Sequence, residues 1–197
     1  MRRPRHTEPD SEPTHAPLRG EAKLRAALAG FDVRASGRIC LDLGAAAGGF
    51  TRVLLEAGAM RVYAVDAGFG QLLGSLRQDP RVVNLEATNV ALLDTRLIPD
   101  AIDMVTIDVS YLSLTAAVAQ LDRIVLARDA DLIGLVKPMF ELRLATAPSD
   151  AISVDAATER AAAGVAAAGW RVIGAMPSPV LGGRGAVEAL LHARRSP

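Results

Sequence analysis

The chain has 197 residues, half of them hydrophobic, which suffices for one domain with a full core and excludes wholesale disorder. Its 22 basic and 22 acidic residues cancel, so a grip on nucleic acid would have to come from clustering on one face rather than from total charge. One cysteine excludes an intramolecular disulfide, and no His, Cys or carboxylate spacing suits a metal.

Residues 1–17 carry Pro4, Pro9, Pro13 and Pro17 among Ser, Thr, His and charges, a composition that predicts a disordered tail before a domain over 18–197. The N-terminal arginines precede no apolar segment, and no apolar run approaches the ~18 residues of a membrane span, so a cytoplasmic protein is expected. A short helix is predicted over Glu21–Leu28. Arg38–Leu43 reads as a first strand, with Cys40 inside it as a small buried hydrophobe. The loop Gly44-Ala45-Ala46-Ala47-Gly48-Gly49 follows, then a helix to about Ala57. Val62–Asp66, Val82–Leu85 and Met104–Asp108 read as strands two to four, followed by a helix over Leu114–Ala127. Leu132–Val136 is the fifth strand, Ala145–Asp150 a loop, and Asp155–Ala168 an alanine-rich helix stopped by Gly169. Trp170–Met176 and Val187–His192 are the last two strands, joined by the Pro- and Gly-rich segment Pro177–Gly185. Strands alternating with helices predict an α/β, doubly wound, Rossmann-like domain on a mostly parallel seven-stranded sheet.

The loop after the first strand is neither GxGxxG nor a P-loop, for it lacks the terminal Lys-Ser/Thr. Asp42 stands just before its first glycine, where a diphosphate would meet a negative charge and a cationic ligand would not. S-adenosylmethionine, with a sulfonium and an ammonium, suits such a strand end, and glycines admit close backbone approach. Asp66 ends strand two about twenty residues on, where a carboxylate reaches a ribose diol in this class of fold. Glu86 and Asn89 follow strand three, where an adenine edge would lie. The expected cofactor residues are therefore Asp42, Gly44, Ala45, Gly48, Gly49, Phe50, Asp66, Glu86, Asn89 and Asp108.

Lysine is rare: Lys23 and Lys137 stand against twenty arginines. Arginine stays protonated at any working pH, whereas a lysine amine gives up its proton when buried or near another cation, so the two lysines mark places where the amine itself matters. Lys137 closes the fifth strand and Asp108 the fourth. Adjacent parallel strands lie about 4.8 Å apart, so both side chains could overhang one cleft. Lys23 sits on the helix before strand one, and Glu188 on or just before the last strand. Two cations and two anions can pair, which lowers the cost of burying them.

Several stretches together resemble the TlyA (haemolysin A) branch of the FtsJ-like RNA methyltransferases. They are Arg19-Gly20 through Lys23-Leu24, Asp42-Leu43-Gly44 through Gly48-Gly49-Phe50-Thr51, Tyr63-Ala64-Val65-Asp66, Asp79-Pro80-Arg81-Val82-Val83, Ile107-Asp108-Val109-Ser110-Tyr111 and Val136-Lys137-Pro138-Met139-Phe140-Glu141. Ser178-Pro179 and Gly183–Glu188 match more loosely, and the likeness runs over about residues 18–192. The resemblance implies a class I, S-adenosylmethionine-dependent ribose 2′-O-methyltransferase acting on ribosomal RNA. It further implies a catalytic tetrad at Lys23, Asp108, Lys137 and Glu188. In that tetrad Lys137 helps deprotonate the attacking hydroxyl, Lys23 favours the neutral form of its neighbour, and the two carboxylates orient the amines.

Three departures bear on the substrate. The family carries an S4-type RNA-binding domain before this part, where the sequence has the proline-rich tail. Met139 replaces a glutamine, and Leu142–Asp150 replaces a segment rich in Gly and Lys. Ala186 replaces an asparagine. With 4% aromatic residues and zero net charge, affinity for RNA is expected to need a partner protein or the ribosome. Two other readings stay open: a small-molecule methyltransferase on the same scaffold, and a cofactor-binding regulator without catalysis.

Overall fold

Short runs that are apolar throughout fit strands covered on both faces by helices, and here they assemble into one sheet. The computed structural model describes residues 17–148 and 150–195, so the expected tail lies almost wholly outside the described residues. In chain order the elements are α1 (Arg19–Gly30), β1 (Ile39–Leu43), α2 (Gly49–Glu56), β2 (Arg61–Val65), α3 (Gly74–Arg77) and β3 (Val82–Leu85). They continue with β4 (Ile102–Ile107), α4 (Leu114–Val118), β5 (Leu126–Val136), α5 (Pro138–Glu141), α6 (Ala151–Ala167), β6 (Trp170–Pro177) and β7 (Ala189–Arg195).

The sheet order is β3-β2-β1-β4-β5-β7-β6. The five strands from β3 to β5 pair in parallel, and β7 runs antiparallel to both β5 and β6. This is the mostly parallel, seven-stranded, doubly wound sheet expected. The strand order reverses between β1 and β4, and in open α/β sheets ligands bind in the crevice beyond the carboxyl ends at such a point.

Alternating side chains feed two cores. Leu41, Leu43, Val105, Ile107 and Leu132 pack on one face, beneath Ala157, Ala161 and Val165 of α6. Cys40, Val62, Met104 and Leu190 pack on the other, beneath Leu24 and Ala27 of α1 and Phe50, Val53 and Leu54 of α2. Cys40 has no exposed surface, and burial pushes its thiol up to about 12, so it is a packing residue and not a nucleophile.

Three boundaries differ from expectation by four residues or more. The helix expected over Leu114–Ala127 is a single turn, Leu114–Val118, followed by a 3₁₀ segment, Ala119–Arg123. β5 then starts early, at Leu126 rather than Leu132, because Leu126 pairs with Ile102 across an irregularity in the ladder. The early start brings a charged residue, Asp131, into the buried strand. His192 Nε2 at 2.8 Å, Arg38 Nη1 at 2.6 Å and Arg194 Nε at 3.0 Å all bond to it. These contacts hold its carboxyl well below the usual carboxylate range, despite the opposing effect of burial. α6 starts at Ala151 rather than Asp155, because the Asp150 side chain accepts the Ser153 N–H at 2.8 Å and caps it. Among the described residues no helix is long and apolar enough to cross a membrane.

Candidate active site

The carboxyl ends of β1, β2, β4 and β5 and the entry to β7 bring the candidate residues together. Asp108 directly follows β4, and its N–H donates to the Leu43 carbonyl at 2.8 Å, which fixes it beside the end of β1. Lys137 directly follows β5 and caps α5, where Pro138 sets the first helical residue. The antiparallel ladder pairs Val136 with Ala189, so one step further Lys137 stands opposite Glu188. Glu188 thus lies just before β7. Lys23 reaches over from α1.

The four side chains form two ion pairs. Lys137 Nζ lies 2.6 Å from Asp108 Oδ1, with side chains 14% and 22% exposed. Lys137 also donates to the Val109 carbonyl at 2.8 Å, to Ser110 Oγ at 2.9 Å and, at 3.4 Å, to the Asp108 carbonyl. Lys23 Nζ donates to Glu188 Oε2 at 2.7 Å, and this pair is almost fully buried. Gly182 roofs it: a Cβ there would overlap Glu188 Oε1. Among the described residues no ion pair or hydrogen bond joins one pair to the other.

The glycine loop turns back against β4 at Gly44. That residue has φ +88°, and a Cβ on it would lie 2.6 Å from the Asp108 carbonyl oxygen, so only glycine lets loop and strand end meet. Gly44 and Ala45 both donate N–H to the Val65 carbonyl, at 2.9 and 3.1 Å. Gly48 caps α2, whose first residue is Gly49. Asp66 stands at the end of β2, partly exposed. It accepts the Ala46 N–H at 2.8 Å and the Gly68 N–H at 2.7 Å, which tie its carboxylate to the loop. Glu86 accepts the N–H groups of Gln71 at 2.6 Å and Leu72 at 2.9 Å and the Asn84 amide at 3.0 Å, and these bonds lower its pKa, Leu72 most. Asn89 is exposed and caps a 3₁₀ turn, Val90–Leu92.

Two expected cofactor residues turn away from the cleft. Asp42 has no exposed surface. Its oxygens accept the hydroxyls of Thr51 at 2.7 Å and Thr106 at 3.0 Å, and burial raises its pKa to about 6. Phe50 is buried between helices, with its ring against Gly20 of α1. Both lie on the α1–α2 side of the sheet, and neither side chain opens onto the crevice.

Sequence reasoning missed three residues. Ser110 touches Lys137. Glu141 is buried and accepts the Leu114 N–H and, at 3.3 Å, the Thr115 hydroxyl, which fastens α5 to the start of α4. Burial raises its pKa, against those bonds. Tyr111 is half exposed; burial raises its pKa most and the Asp66 carboxylate adds to the rise, so this ring borders the Asp66 end of the crevice.

A doubly wound sheet with an antiparallel seventh strand, and a glycine loop and a partly exposed carboxylate at its switch point, define a Rossmann-like methyltransferase of the S-adenosylmethionine-dependent class. The comparisons with known proteins narrow the class. The chain belongs to the FtsJ-like methyltransferases, whose family match runs over residues 17–195. It is 42% identical over 181 residues to the 16S/23S rRNA (cytidine-2′-O)-methyltransferase TlyA of Mycobacterium tuberculosis, covering 89% of this chain and 67% of that protein. It is 33% identical over 183 residues to Hemolysin A of Brachyspira hyodysenteriae, covering 88% of this chain and 75% of that one. Among solved structures, a hemolysin-type protein from Streptococcus thermophilus superposes with a TM-score of 0.86 at 33% identity, covering 95% of this chain and 70% of that one. Magnesium protoporphyrin IX methyltransferase from Synechocystis, with SAH bound, superposes with a TM-score of 0.60 at 16% identity over 90% of this chain and 83% of its own, a likeness of fold alone.

Proposed function

We propose that the chain methylates a ribose 2′-hydroxyl of ribosomal RNA, with Lys137 as the proton acceptor. The observation that carries this reading is the partly exposed Lys137–Asp108 pair at neighbouring strand ends, beside the Gly44 turn. A ribose hydroxyl is a weak nucleophile until its proton is taken, and an amine steadied by a carboxylate beside the crevice suits that task. Asp108 and the Val109 carbonyl hold the amine in place. Lys23 and Glu188 support the same corner from within, with their charges matched.

The crevice fits S-adenosylmethionine through Asp66, whose carboxylate is tied to the loop backbone by two N–H groups and stays accessible for a ribose diol. Gly44, Ala45, Ala46 and Ala47 would form the floor, and Tyr111 the wall on the Asp66 side. When bound, the cofactor supplies an electrophilic methyl group. The family membership and the rRNA methyltransferase relative support the substrate class. Action on ribosomes would place the protein in the cytoplasm, where ribosomal proteins could lend the affinity that a neutral chain lacks.

The test is methyl transfer from labelled S-adenosylmethionine to purified bacterial ribosomal subunits that lack the modification, with a small-molecule extract counted in parallel. Lys137→Ala is expected to lower turnover at least about a hundredfold, the lower range for losing a general base, and to leave cofactor affinity by calorimetry within about threefold. Normal turnover by Lys137→Ala refutes the assignment. Label confined to the extract replaces RNA by a small molecule, and cofactor binding without transfer to either points to a regulator.

A further inference from the structure

We propose that Ser110 relays the proton from the acceptor hydroxyl to Lys137, a proposal that rests on the ribose-hydroxyl reading above. The valence of the amine singles out this serine. A lysine ammonium has three N–H donors, and Lys137 has three close acceptors: Asp108 Oδ1 at 2.6 Å, the Val109 carbonyl at 2.8 Å and Ser110 Oγ at 2.9 Å. To act as a base, Lys137 must be neutral, with two N–H bonds and one free electron pair. The carboxylate and the carbonyl carry no proton, so they keep the two N–H bonds. Ser110 is the one member of the three with a proton to give. The free electron pair of neutral Lys137 therefore faces the Ser110 hydroxyl.

Exposure points the same way. Ser110 is exposed, whereas the Lys137 and Asp108 side chains are 14% and 22% exposed. The hydroxyl is the part of the group presented to an arriving substrate. Its place is fixed on both sides. Asp108 is bonded to Leu43, Val109 is buried in the core, and the Ser113 side chain caps α4 by accepting the Ala116 N–H at 3.1 Å. The parallel register of Ile107 with Gly134, continued three residues, brings Ser110 level with Lys137.

In the step, the acceptor O–H bond breaks and its proton forms a bond to Ser110 Oγ. The Ser110 proton passes at the same time to the Lys137 electron pair, which becomes ammonium. The electron pair of the broken O–H bond stays on the acceptor oxygen and forms the new oxygen–methyl bond as the carbon–sulfur bond of S-adenosylmethionine breaks to a neutral thioether. Serine ends as it began, and the proton resides on Lys137.

The experiment uses the full chain, purified ribosomal subunits and S-adenosylmethionine under single-turnover conditions, for wild type, Ser110→Ala, Ser110→Thr and Lys137→Ala. Rates are followed across pH and across mixtures of light and heavy water. Ser110→Ala is expected to slow transfer at least about tenfold with cofactor and subunit affinities within about threefold, less than the about hundredfold loss of the base itself because Lys137 remains. Ser110→Thr, which keeps the hydroxyl, is expected to recover to within about threefold of wild type. With two protons in flight, the wild-type rate should bow downward as the heavy-water fraction rises, and the Ser110→Ala rate should fall linearly. Wild-type speed in Ser110→Ala overturns the relay, and so does an equally bowed plot in a slow Ser110→Ala, which marks a structural role. If Lys137→Ala is silent while Ser110→Ala is normal, the relay alone fails. If Lys137→Ala transfers normally, or the wild type labels no subunit, the underlying reading fails and the relay with it.

Discussion

The buried Asp42 carboxyl makes a prediction about stability and ligand binding together. It has no exposed surface, and burial is the largest influence on it, opposed by hydrogen bonds from Thr51 and Thr106. Its pKa rises from 3.8 to about 6. Two units correspond to about 3 kcal/mol between the protonation states. Between those pH values the folded chain holds a proton that the unfolded chain has released, so stability falls as pH rises through the window and levels off above it. Asp42→Asn keeps the shape, and each threonine hydroxyl can bond to an amide, but nothing there ionises. The unfolding free energy of the variant minus that of wild type should therefore grow from pH 4 to pH 7. The total is expected to be up to about 3 kcal/mol, at no more than about 1.4 kcal/mol per pH unit. Urea denaturation at unit pH steps measures it, and the subtraction removes other titrating groups such as Glu141. A difference that stays constant over this range refutes the reasoning. Because Asp42 faces α2 and not the crevice, calorimetry should find S-adenosylmethionine affinity within about threefold of wild type, and lost binding would place the carboxylate in the site after all.

Asp131→Ala leaves His192 buried without its partner and removes the acceptor of Arg38 and Arg194, so denaturation should show a loss of about 3–5 kcal/mol. Asp131 is held below its ordinary pKa, so its contribution is present above about pH 4 and drains as pH falls lower, and the gap between variant and wild type should close in acid. Gly44→Ala forces a Cβ against the Asp108 carbonyl at φ +88°, and is expected to cost about 1–3 kcal/mol from backbone strain and to slow transfer by displacing Asp108; an unchanged melt and rate would refute the close approach.

Much of the crevice was legible because each parallel strand ends in a residue of different chemistry from its apolar run. Leu43 gives way to Gly44, Val65 to Asp66, Ile107 to Asp108 and Val136 to Lys137, and the sheet aligns those junctions along one edge. What the sequence hid depends on side-chain direction. Alternation along β1 places Asp42 on the same face as Cys40, under α2, and the strand pattern alone carries that signal: a residue two positions from a buried cysteine points the same way. The break in the helix after Leu114 was hidden because the Leu126 end of β5 carries Arg128 and Asp129, so half of that strand lacks an apolar pattern.

The partition of the four charges was hidden for a different reason. Two lysines and two carboxylates allow two pairings, and only the packing of α1 against β7 and of β4 against β5 selects between them. One result is a pair shut beneath Gly182, the other a pair left open beside Ser110. An amine walled off with a matched carboxylate has little access to a substrate proton, whereas one that keeps a serine hydroxyl at its solvent side does. The two rare lysines of this chain are thus placed in unlike surroundings, and the proposed role of Lys137 rests on that asymmetry rather than on their rarity.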